Sequence, residues 1–317
     1  MTRKARLRAF AKLNLGLRVL YKRPDGYHEL RTVFQTISLA DRLDVAFTPA
    51  SETRIVIEGT PEIPDNLVEK AARLALEAMS IHADVRFKLK KNIPSGAGLG
   101  GGSSDAAAVL LALPVLAGIP IEYERLFSIA ARLGSDVPFF LHGGTALGLG
   151  RGEELYPLPS PPKTHALLVA PAIHSSTAEA YRDLSATLTS IALQNKLVTF
   201  QRQLWAGLTG IPENDFEAVV FARHPELSEI RDRLLSLGAR HAMMTGSGSA
   251  IFGVFAGRAT LEAARGSFPG ERVFPISFVS RSEYRSQWQR ALKQHLAPSH
   301  ETSSNREPWP PRSLYAR

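Results

Sequence analysis

Apolar and polar residues alternate along the first part of the chain. From Arg8 to Val19, every second residue starting at Ala9 is apolar, and the residues between them include Lys12 and Asn14. A period of two is typical of a β-strand, because successive side chains point to opposite faces. The pattern therefore predicts that Lys12 and Asn14 project together from the face opposite the core.

The remainder of the first half alternates between predicted strands and helices. Strands are predicted at 27–39, 53–58 and 85–90, and helices at 66–79, 104–113 and 122–133. The glycine-rich run 143–152 is expected to form β turns. Mixed order of this kind, with neighbouring hairpins, predicts an α+β fold.

Chain length and composition shifts predict two domains. The 317 residues exceed the usual single-domain size of roughly 100–200, and a cluster of prolines between Pro157 and Pro162 marks a linker. A strand at 166–170, helices and a second Gly/Ser loop between two apolar β segments follow. We therefore expect an N-terminal domain at 1–160, a second domain at 161–298, and a disordered Ser-, Pro- and Arg-rich tail at 299–317.

A glycine-dense loop precedes an apolar helix. Five of the seven residues from Gly96 to Gly102 are glycine, which lets the backbone approach a ligand without a Cβ in the way. The first turn of the following helix has unpaired N–H groups and a partial positive charge, so it suits a phosphate. The alternative is an ordinary turn in which Ser103 or Ser104 caps the helix.

Two common phosphate motifs do not explain this loop. The Walker pattern requires a lysine before the hydroxyl residue, but Gly102 precedes Ser103. The dinucleotide pattern matches the glycines, but its acidic residue should end a strand about 20 positions later. The acidic residues at that distance, Glu122 and Glu124, begin a predicted helix. Dinucleotide binding therefore stays a weak alternative.

Charge and cysteine content exclude some classes of function. The formal net charge of +8 favours anionic partners, but the basic residues are spread along the chain. Their one dense group, residues 3–8, is expected to be a solvated edge rather than a nucleic-acid arm. The absence of cysteine excludes disulfides, thiolate metal sites and a cysteine nucleophile.

The longest apolar run, 106–121, is too short and too interrupted to span a membrane. No apolar signal core is visible at the N-terminus, so a cytoplasmic protein is expected.

The chain contains the groups needed to move a phosphoryl group to a hydroxyl. These are a phosphate cradle, a lysine on a strand, and an aspartate, Asp136, where one helical pattern breaks and another restarts. The alternative for Asp136 is a carboxylate that stabilises a helix start.

Three segments resemble the signature motifs of the GHMP kinases. They are Ala11-Lys12-Leu13-Asn14-Leu15, Pro94-Ser95-Gly96-Ala97-Gly98-Leu99-Gly100-Gly101-Gly102-Ser103-Ser104, and Met244-Thr245-Gly246-Ser247-Gly248-Ser249. Within that family, Arg23-Pro24-Asp25-Gly26-Tyr27-His28-Glu29-Leu30, the triple glycine before Ser103, and Leu133-Gly134-Ser135-Asp136-Val137-Pro138 are similar to members that phosphorylate 4-diphosphocytidyl-2-C-methyl-D-erythritol. The similarity covers about residues 5–290.

The resemblance implies ATP-dependent phosphorylation of the 2-hydroxyl of that compound, a step of the non-mevalonate isoprenoid pathway. It also implies a ribosomal S5 domain 2-like N-terminal domain, a ferredoxin-like C-terminal α/β sandwich, and an active site in the cleft between them. Asp136 is then the base, and Lys12 holds it and offsets developing charge. The ATP phosphates are expected to bind the glycine loop, at Pro94, Ser95, Gly96, Ala97, Gly98, Leu99, Gly100, Gly101, Gly102, Ser103 and Ser104.

Substrate and metal contacts follow from the same resemblance. Asn14 is expected to position the diphosphate or hydroxyl region, while Tyr27, His28 and Tyr181 bind the cytidine end. The other implied substrate contacts are Thr177, Gly246 and Ser247. Mg²⁺ is expected to arrive with ATP and to be held mainly by the phosphates and Ser104.

Two other readings remain open. A different GHMP kinase, acting on mevalonate or a sugar, is disfavoured by the Pro24–His28 segment. A nucleotide- or RNA-binding module without catalysis would not need Lys12 together with Asp136. The expected partners are ATP and the diphosphocytidyl substrate, with no nucleic acid and no membrane. The pattern leaves open whether the protein is a monomer or a homodimer.

Overall fold

The computed structural model describes residues 1–59, 65–186, 190–205 and 213–296. The strands are β1 (Arg3–Lys22), β2 (His28–Pro49), β3 (Arg54–Glu58), β4 (Ala83–Lys90), β5 (Thr145–Leu149), β6 (Glu154–Pro157), β7 (His165–Ala170), β8 (His241–Met244), β9 (Ile251–Phe255) and β10 (Arg272–Ser277). The helices are α1 (Leu67–Met79), α2 (Gly101–Ala117), α3 (Tyr123–Leu133), α4 (Val137–His142), α5 (Thr177–Ser185), α6 (Ser190–Trp205), α7 (Glu217–Arg223), α8 (Pro225–Ser236), α9 (Arg258–Arg265) and α10 (Arg281–Leu292). The tail predicted at 299–317 lies outside the described residues.

The first sheet is built around two long antiparallel strands, β1 and β2. Strand order is β3-β4-β2-β5-β6, with β1 also paired to β2. The β1–β2 register shifts on both sides of the Lys12–Asn14 segment, between Phe10 and Lys12 and between Asn14 and Leu17. Such irregularities bend a strand and re-aim its side chains, so the predicted alternation is interrupted where the polar residues lie.

Helices cover this sheet, and α2 is their centre. Every residue of α2 from Ser104 to Leu116 is buried, as expected for a helix that is apolar on all sides. The helix starts at Gly101, three residues before the prediction, and its N-cap is Gly100 in the left-handed conformation. The reading in which Ser103 or Ser104 caps the helix is therefore wrong, because a glycine accepts the positive φ that this entry into the helix requires.

The prediction of β turns for the run 143–152 is wrong, because this run contains strand β5. This strand pairs with β2, from Thr145 beside Gln35 to Gly148 beside Thr32. A Cβ at Gly148 would lie 2.7 Å from the Phe34 ring, so glycine here permits close packing within a strand.

The second sheet is antiparallel, with the order β10-β7-β9-β8. Its core includes Leu167 and Val169 of β7, Ile251 of β9, and apolar residues of helices α5, α7, α8 and α9. The molecule thus has two sheets, each with its own core, in the two-domain α+β architecture that the resemblance implies. The boundary at residue 160 remains a prediction.

Two features join the halves of the molecule. Helix α10 follows the second sheet in sequence but packs into the first core, where Tyr284 donates a hydrogen bond to the Phe140 carbonyl. A separate apolar cluster combines Leu13 of β1 with Leu168 and Phe252 of the second sheet. Within the described ranges, no helix is long and apolar enough to cross a membrane.

Candidate active site

Strand β1 supplies a buried lysine whose ammonium group lies near two side-chain oxygen atoms. Lys12 Nζ donates to Asn14 Oδ1 at 2.7 Å and lies 3.5 Å from Asp136 Oδ2. The lysine side chain is 5% exposed, whereas that of Asp136 is 33% exposed. Lys12 and Asn14 thus share one face of β1, as predicted, but this face is not turned away from the core: both residues are buried, and Lys12 lies over the Phe34 ring of the first core. Lys12 and Asp136, 124 positions apart, meet in one cleft.

The orientation of Asn14 is fixed by the chain around it. Its backbone N–H donates to Thr245 Oγ1 at 3.0 Å, and its side-chain Nδ2 donates to Thr32 Oγ1 at 2.7 Å. Thr32 in turn donates to the Gly16 carbonyl at 2.8 Å. With Nδ2 occupied in this way, Asn14 Oδ1 faces Lys12 as an acceptor and holds the ammonium group in place.

Asp136 lies at the junction between α3 and α4. It precedes Val137 and Pro138, and its side chain makes no capping hydrogen bond to α4. Asp136 does occupy the start of α4, as the helix-start reading has it, but its side chain does not cap the helix. The carboxylate pairs instead with Lys12 and remains partly open to solvent.

The glycine loop passes directly over this pair. Lys12 N donates to the Leu99 carbonyl at 3.1 Å. A Cβ at Gly100, where φ is +68°, would lie 2.9 Å from the Phe140 ring and 3.2 Å from Lys12 Cγ. A Cβ at Gly98, where φ is +74°, would lie 2.2 Å from the Thr245 carbonyl oxygen. The loop therefore requires glycine at both positions, for backbone conformation and for close contact.

Two cavities lie on either side of the loop and share Gly96, Gly98, Gly100 and Ser103 as walls. The larger cavity has a volume of about 1070 Å³ and is lined by Lys12, Asn14, Asp136, aromatic residues and the second Gly/Ser loop. The smaller cavity, of about 400 Å³, is lined by the rest of the glycine loop with Asn66, Leu67, Lys91 and Asp105. The shared loop is therefore a common wall of both cavities.

One wall of the larger cavity is an aromatic stack. His28 and Tyr181 stack with ring centroids 4.8 Å apart, and Phe216 meets Tyr181 edge-on, also at 4.8 Å. Tyr27 is exposed, with the Arg151 guanidinium 4.7 Å from its ring centroid. Burial raises the pKa of the Tyr181 hydroxyl, and the charge of Asp136 raises it further. Tyr181 therefore presents a neutral face to the cavity at physiological pH.

His28 has a defined protonation state. Ser185 Oγ donates to the Tyr181 carbonyl at 2.6 Å and lies 2.7 Å from His28 Nε2. Because the hydroxyl proton is already used, His28 Nε2 must donate, which leaves Nδ1 as the acceptor of the neutral ring. Burial lowers the pKa of His28, and the nearby Lys22 charge lowers it further, so the ring stays neutral at pH 7.

The remaining residues predicted to bind substrate also line the larger cavity. Thr177 Oγ1 and Ser247 Oγ lie 2.8 Å apart, and Ser175 Oγ donates to the Ser247 carbonyl at 2.8 Å. Gly246 Cα packs on Gly98, since a Cβ at Gly246 would lie 3.1 Å from Gly98 Cα. The structure thus brings the first and second glycine loops into backbone contact.

Sequence reasoning missed a charged cluster beneath the smaller cavity. Lys91 Nζ donates to Asp105 Oδ2 at 2.7 Å and to Asp41 Oδ2. Asp41 Oδ1 also accepts from the backbone N–H of Asn92 and Ile93, at the entry to the glycine loop. Burial raises the pKa of Asp105 to about 7. Asp105 directly follows the glycine-loop motif, which ends at Ser104, but nothing near it in sequence indicates its pairing with Asp41.

The two adjacent serines of the loop are placed differently. Ser103 lines both cavities, whereas Ser104 is buried, lines neither, and its hydroxyl has no hydrogen-bond partner among the described residues. No cluster of three or more His, Asp or Glu residues suited to a metal ion occurs in the described ranges. Apart from Ser104, the residues predicted to bind ATP line at least one cavity; Pro94, Ser95, Ala97, Leu99, Gly101 and Gly102 line only the smaller one.

Comparison with protein families identifies both halves of the chain. The GHMP kinases N-terminal domain model matches residues 66–144, and the GHMP kinases C-terminal model matches residues 197–271. A 4-diphosphocytidyl-2-C-methyl-D-erythritol kinase from Solibacter usitatus is 53% identical over 319 residues, covering 99% of this chain and 98% of that protein. The enzyme of the same name from Geobacillus kaustophilus is 38% identical, covering 86% of this chain and 96% of that protein.

Solved structures agree with these matches. A crystal structure of 4-(cytidine 5'-diphospho)-2C-methyl-D-erythritol kinase is 40% identical, with a TM-score of 0.71 over 86% of this chain and 98% of that chain. The Methanococcus jannaschii mevalonate kinase, 13% identical with a TM-score of 0.64 over 88% of this chain and 98% of that chain, shares the fold. The chain therefore belongs to the GHMP kinases and, within them, to the 4-diphosphocytidyl-2-C-methyl-D-erythritol kinase family.

Proposed function

We propose that this chain transfers the γ-phosphoryl group of ATP to the 2-hydroxyl of 4-diphosphocytidyl-2-C-methyl-D-erythritol, with Asp136 as the general base. The observation that carries the proposal is the Lys12–Asp136 pair, which lies in the larger cavity directly beneath the glycine loop shared with the smaller one. A phosphoryl donor on the loop and a hydroxyl in the larger cavity would meet at this pair.

Asp136 would take the proton of the attacking hydroxyl on a carboxylate oxygen. Its partial exposure leaves room for a hydroxyl to approach, and Lys12 Nζ, 3.5 Å away, holds the carboxylate in place. Lys12 also places a positive charge where negative charge grows on the transferring group. Asn14 serves this step indirectly, by fixing Lys12 through the 2.7 Å hydrogen bond.

The glycine loop and the start of α2 would bind the ATP phosphates. Gly98 and Gly100 expose backbone where a Cβ would intrude, and the N-terminus of α2 at Gly101 adds unpaired N–H groups and a partial positive charge. The nucleoside part would then extend into the smaller cavity beside Asn66 and Leu67.

The aromatic wall would hold the cytosine ring of the acceptor. Tyr181 and Tyr27 provide flat faces, and stacking fixes a base without requiring charge. His28 Nδ1, left as an acceptor, matches the exocyclic amine of cytosine, which is a donor. Thr177, Gly246 and Ser247 would complete the wall beside the diphosphate.

Mg²⁺ would be carried chiefly by the ATP phosphates, because the described residues include no carboxylate cluster for it. Ser103 lies on the wall of both cavities, where its hydroxyl would donate to a phosphate or bind the ion through its oxygen, whereas the predicted ligand Ser104 is buried and lines neither cavity. When bound, the ion would neutralise phosphate charge and polarise the transferring group.

A direct assay tests the proposal. Purified protein is incubated with Mg-ATP and, separately, with the diphosphocytidyl compound, mevalonate or galactose, and ADP release is followed. We expect turnover with the first acceptor alone. Turnover with mevalonate or galactose but not with the diphosphocytidyl compound would replace the assignment with another GHMP kinase activity, and no turnover with any acceptor would reject catalysis on all three.

A further inference from the structure

A short segment from the second half of the chain lies beside strand β1. Leu17 N donates to the Glu213 carbonyl at 2.9 Å, and Asp215 N donates to the Leu17 carbonyl at 3.0 Å. Asn214 therefore sits opposite Leu17, like one residue of an added strand. Nothing in the sequence pattern singles this residue out.

The side chain of Asn214 makes three hydrogen bonds, two as a donor and one as an acceptor. Nδ2 donates to the Met244 carbonyl at 2.9 Å and to the Gly246 carbonyl at 2.8 Å, and Oδ1 accepts from Phe216 N at 3.0 Å. The residue is 5% exposed. A buried amide with three well-formed hydrogen bonds holds its partners in one arrangement.

These partners form two walls of the larger cavity. Gly246 and Phe216 line the larger cavity, and neither lines the smaller one. Phe216 also packs edge-on against Tyr181. Between the two bonded carbonyls stands Thr245, whose hydroxyl accepts from Asn14 N. Asn214 thus connects the second glycine loop to the aromatic wall without touching the cavity itself.

We propose that Asn214 is a positioning residue for the phosphoryl acceptor, which sets the second glycine loop and the Phe216–Tyr181 wall at the spacing that the diphosphocytidyl group requires. The inference rests on the proposed function for the identity of that acceptor. It assigns Asn214 to acceptor binding and not to ATP binding, because two of its bonded partners, Gly246 and Phe216, line the larger cavity and none lines the smaller one.

The neighbouring residue, Asp215, provides a matched control. Its carboxylate accepts from Arg18 Nη1 at 2.8 Å and Val19 N at 2.9 Å, and pairs with Lys196 Nζ at 2.7 Å. None of these four residues lines the larger cavity. The Asp215 side chain is 6% exposed and belongs to the same segment, so its replacement tests a change there whose side-chain contacts do not reach the larger cavity.

The test compares Asn214→Asp with Asp215→Asn in steady-state kinetics and thermal melting. Asn214→Asp keeps the shape and the acceptor for Phe216 N but removes both donors, which leaves the Met244 and Gly246 carbonyls facing a carboxylate. We expect KM for the diphosphocytidyl compound to rise about tenfold, with KM for ATP within about twofold. Asp215→Asn should lower the melting temperature and leave both KM values within about twofold.

Asn214→Ala keeps the proposal testable without an added charge, and it should raise the acceptor KM in the same direction. A folded Asn214→Asp or Asn214→Ala protein with unchanged acceptor KM, or with both KM values raised equally, would overturn the inference. So would the failure of both variants to fold, since the role would then be structural. The wild-type protein is assayed first: if it does not turn over the diphosphocytidyl compound, the proposed function fails, independently of Asn214.

Discussion

The two cavities on either side of the glycine loop are built in different ways. The smaller cavity comes almost wholly from one stretch of chain, residues 89–105, with 65–67 closing one side. The larger cavity collects single residues from strands β1 and β2, the α3–α4 junction, helix α5, the Phe216 segment and the second glycine loop. One cavity is thus local in sequence, and the other is formed only when both halves of the molecule are packed together.

This difference matches what each cavity would bind. The smaller cavity and the loop offer backbone N–H groups and a helix start, which recognise phosphate through main-chain geometry. The larger cavity offers specific side chains: a lysine–aspartate pair, a histidine with a defined acceptor, and an aromatic stack. Changes to single side chains should therefore affect the acceptor more than ATP, whereas changes to loop backbone should affect both.

The largest expected effect separates chemistry from ATP binding. Asp136→Asn keeps the size of the side chain but removes the base, so we expect kcat to fall by at least about a hundredfold with little change in KM for ATP. Asp84→Asn is the control, because Asp84 has a closely similar side-chain exposure, 32% against 33%, and lies outside both cavities. Near-normal turnover in the Asp136 variant would remove this residue from the mechanism.

A substitution in the aromatic wall should weaken binding of the acceptor alone. Tyr181→Ala removes the ring that stacks on His28, so KM for the diphosphocytidyl compound should rise by the equivalent of about 1–3 kcal/mol. KM for ATP should stay nearly constant, because Tyr181 does not line the smaller cavity. Tyr156→Ala, at an exposed tyrosine on β6, should change neither constant. An equal rise for ATP would contradict the separation of the two cavities.

A substitution in the shared glycine loop should weaken binding of both substrates. Gly98→Ala places a methyl group against the Thr245 carbonyl and requires a positive φ, which alone costs about 1–2 kcal/mol. Because Gly98 lines both cavities, we expect both KM values to rise together. Gly266→Ala is the control, since its Cβ would meet nothing within 4 Å and its φ is −74°. A rise confined to one substrate would show that the loop is not a common wall.

The smallest expected effect is on the pH dependence of the free energy of unfolding, through Asp105 beneath the smaller cavity. The pKa of Asp105 is about 7 in the folded protein and 3.8 as an unperturbed group, so between these values the folded chain binds a proton that the unfolded chain does not. Its contribution is therefore present at low pH and lost as pH rises through about 7, with a slope of at most about 1.4 kcal/mol per pH unit. Denaturant unfolding at pH 5 to 8 should show a flatter profile for Asp105→Asn, and an unchanged one for the exposed Asp232→Asn.

Sequence reasoning succeeded where the structural signal is local. The alternation around Lys12 and Asn14 predicts their common face, and the glycine run predicts a loop at a helix start, since both features depend on residues a few positions apart. Local rules also gave errors: Gly101 and Gly102 belong to helix α2, and 143–152 contains β5. In the first case Gly100, in the left-handed conformation, starts the helix ahead of its buried part, which begins at Ser104; in the second, pairing with β2 overrides the low propensity of glycine for a strand.

The contacts that could not be predicted join distant parts of the chain. Asn214 reaches carbonyls 30 and 32 positions away, and Lys91 joins Asp41 to Asp105. An isolated asparagine or lysine has no periodic pattern, and its partners are fixed only by tertiary packing. The residues proposed to touch substrate could be inferred from motifs, whereas those that hold them in place required the structure.

The most direct test of the account is acceptor choice. With Mg-ATP held constant, phosphorylation is measured for 4-diphosphocytidyl-2-C-methyl-D-erythritol and for 2-C-methyl-D-erythritol 4-phosphate, which lacks the cytidine. A site built to stack and pair a base leaves polar groups unpaired when the base is missing, so the account predicts turnover of the first compound and not of the second. Equal turnover of both would contradict the role assigned to His28 and Tyr181, even if the kinase activity itself stands.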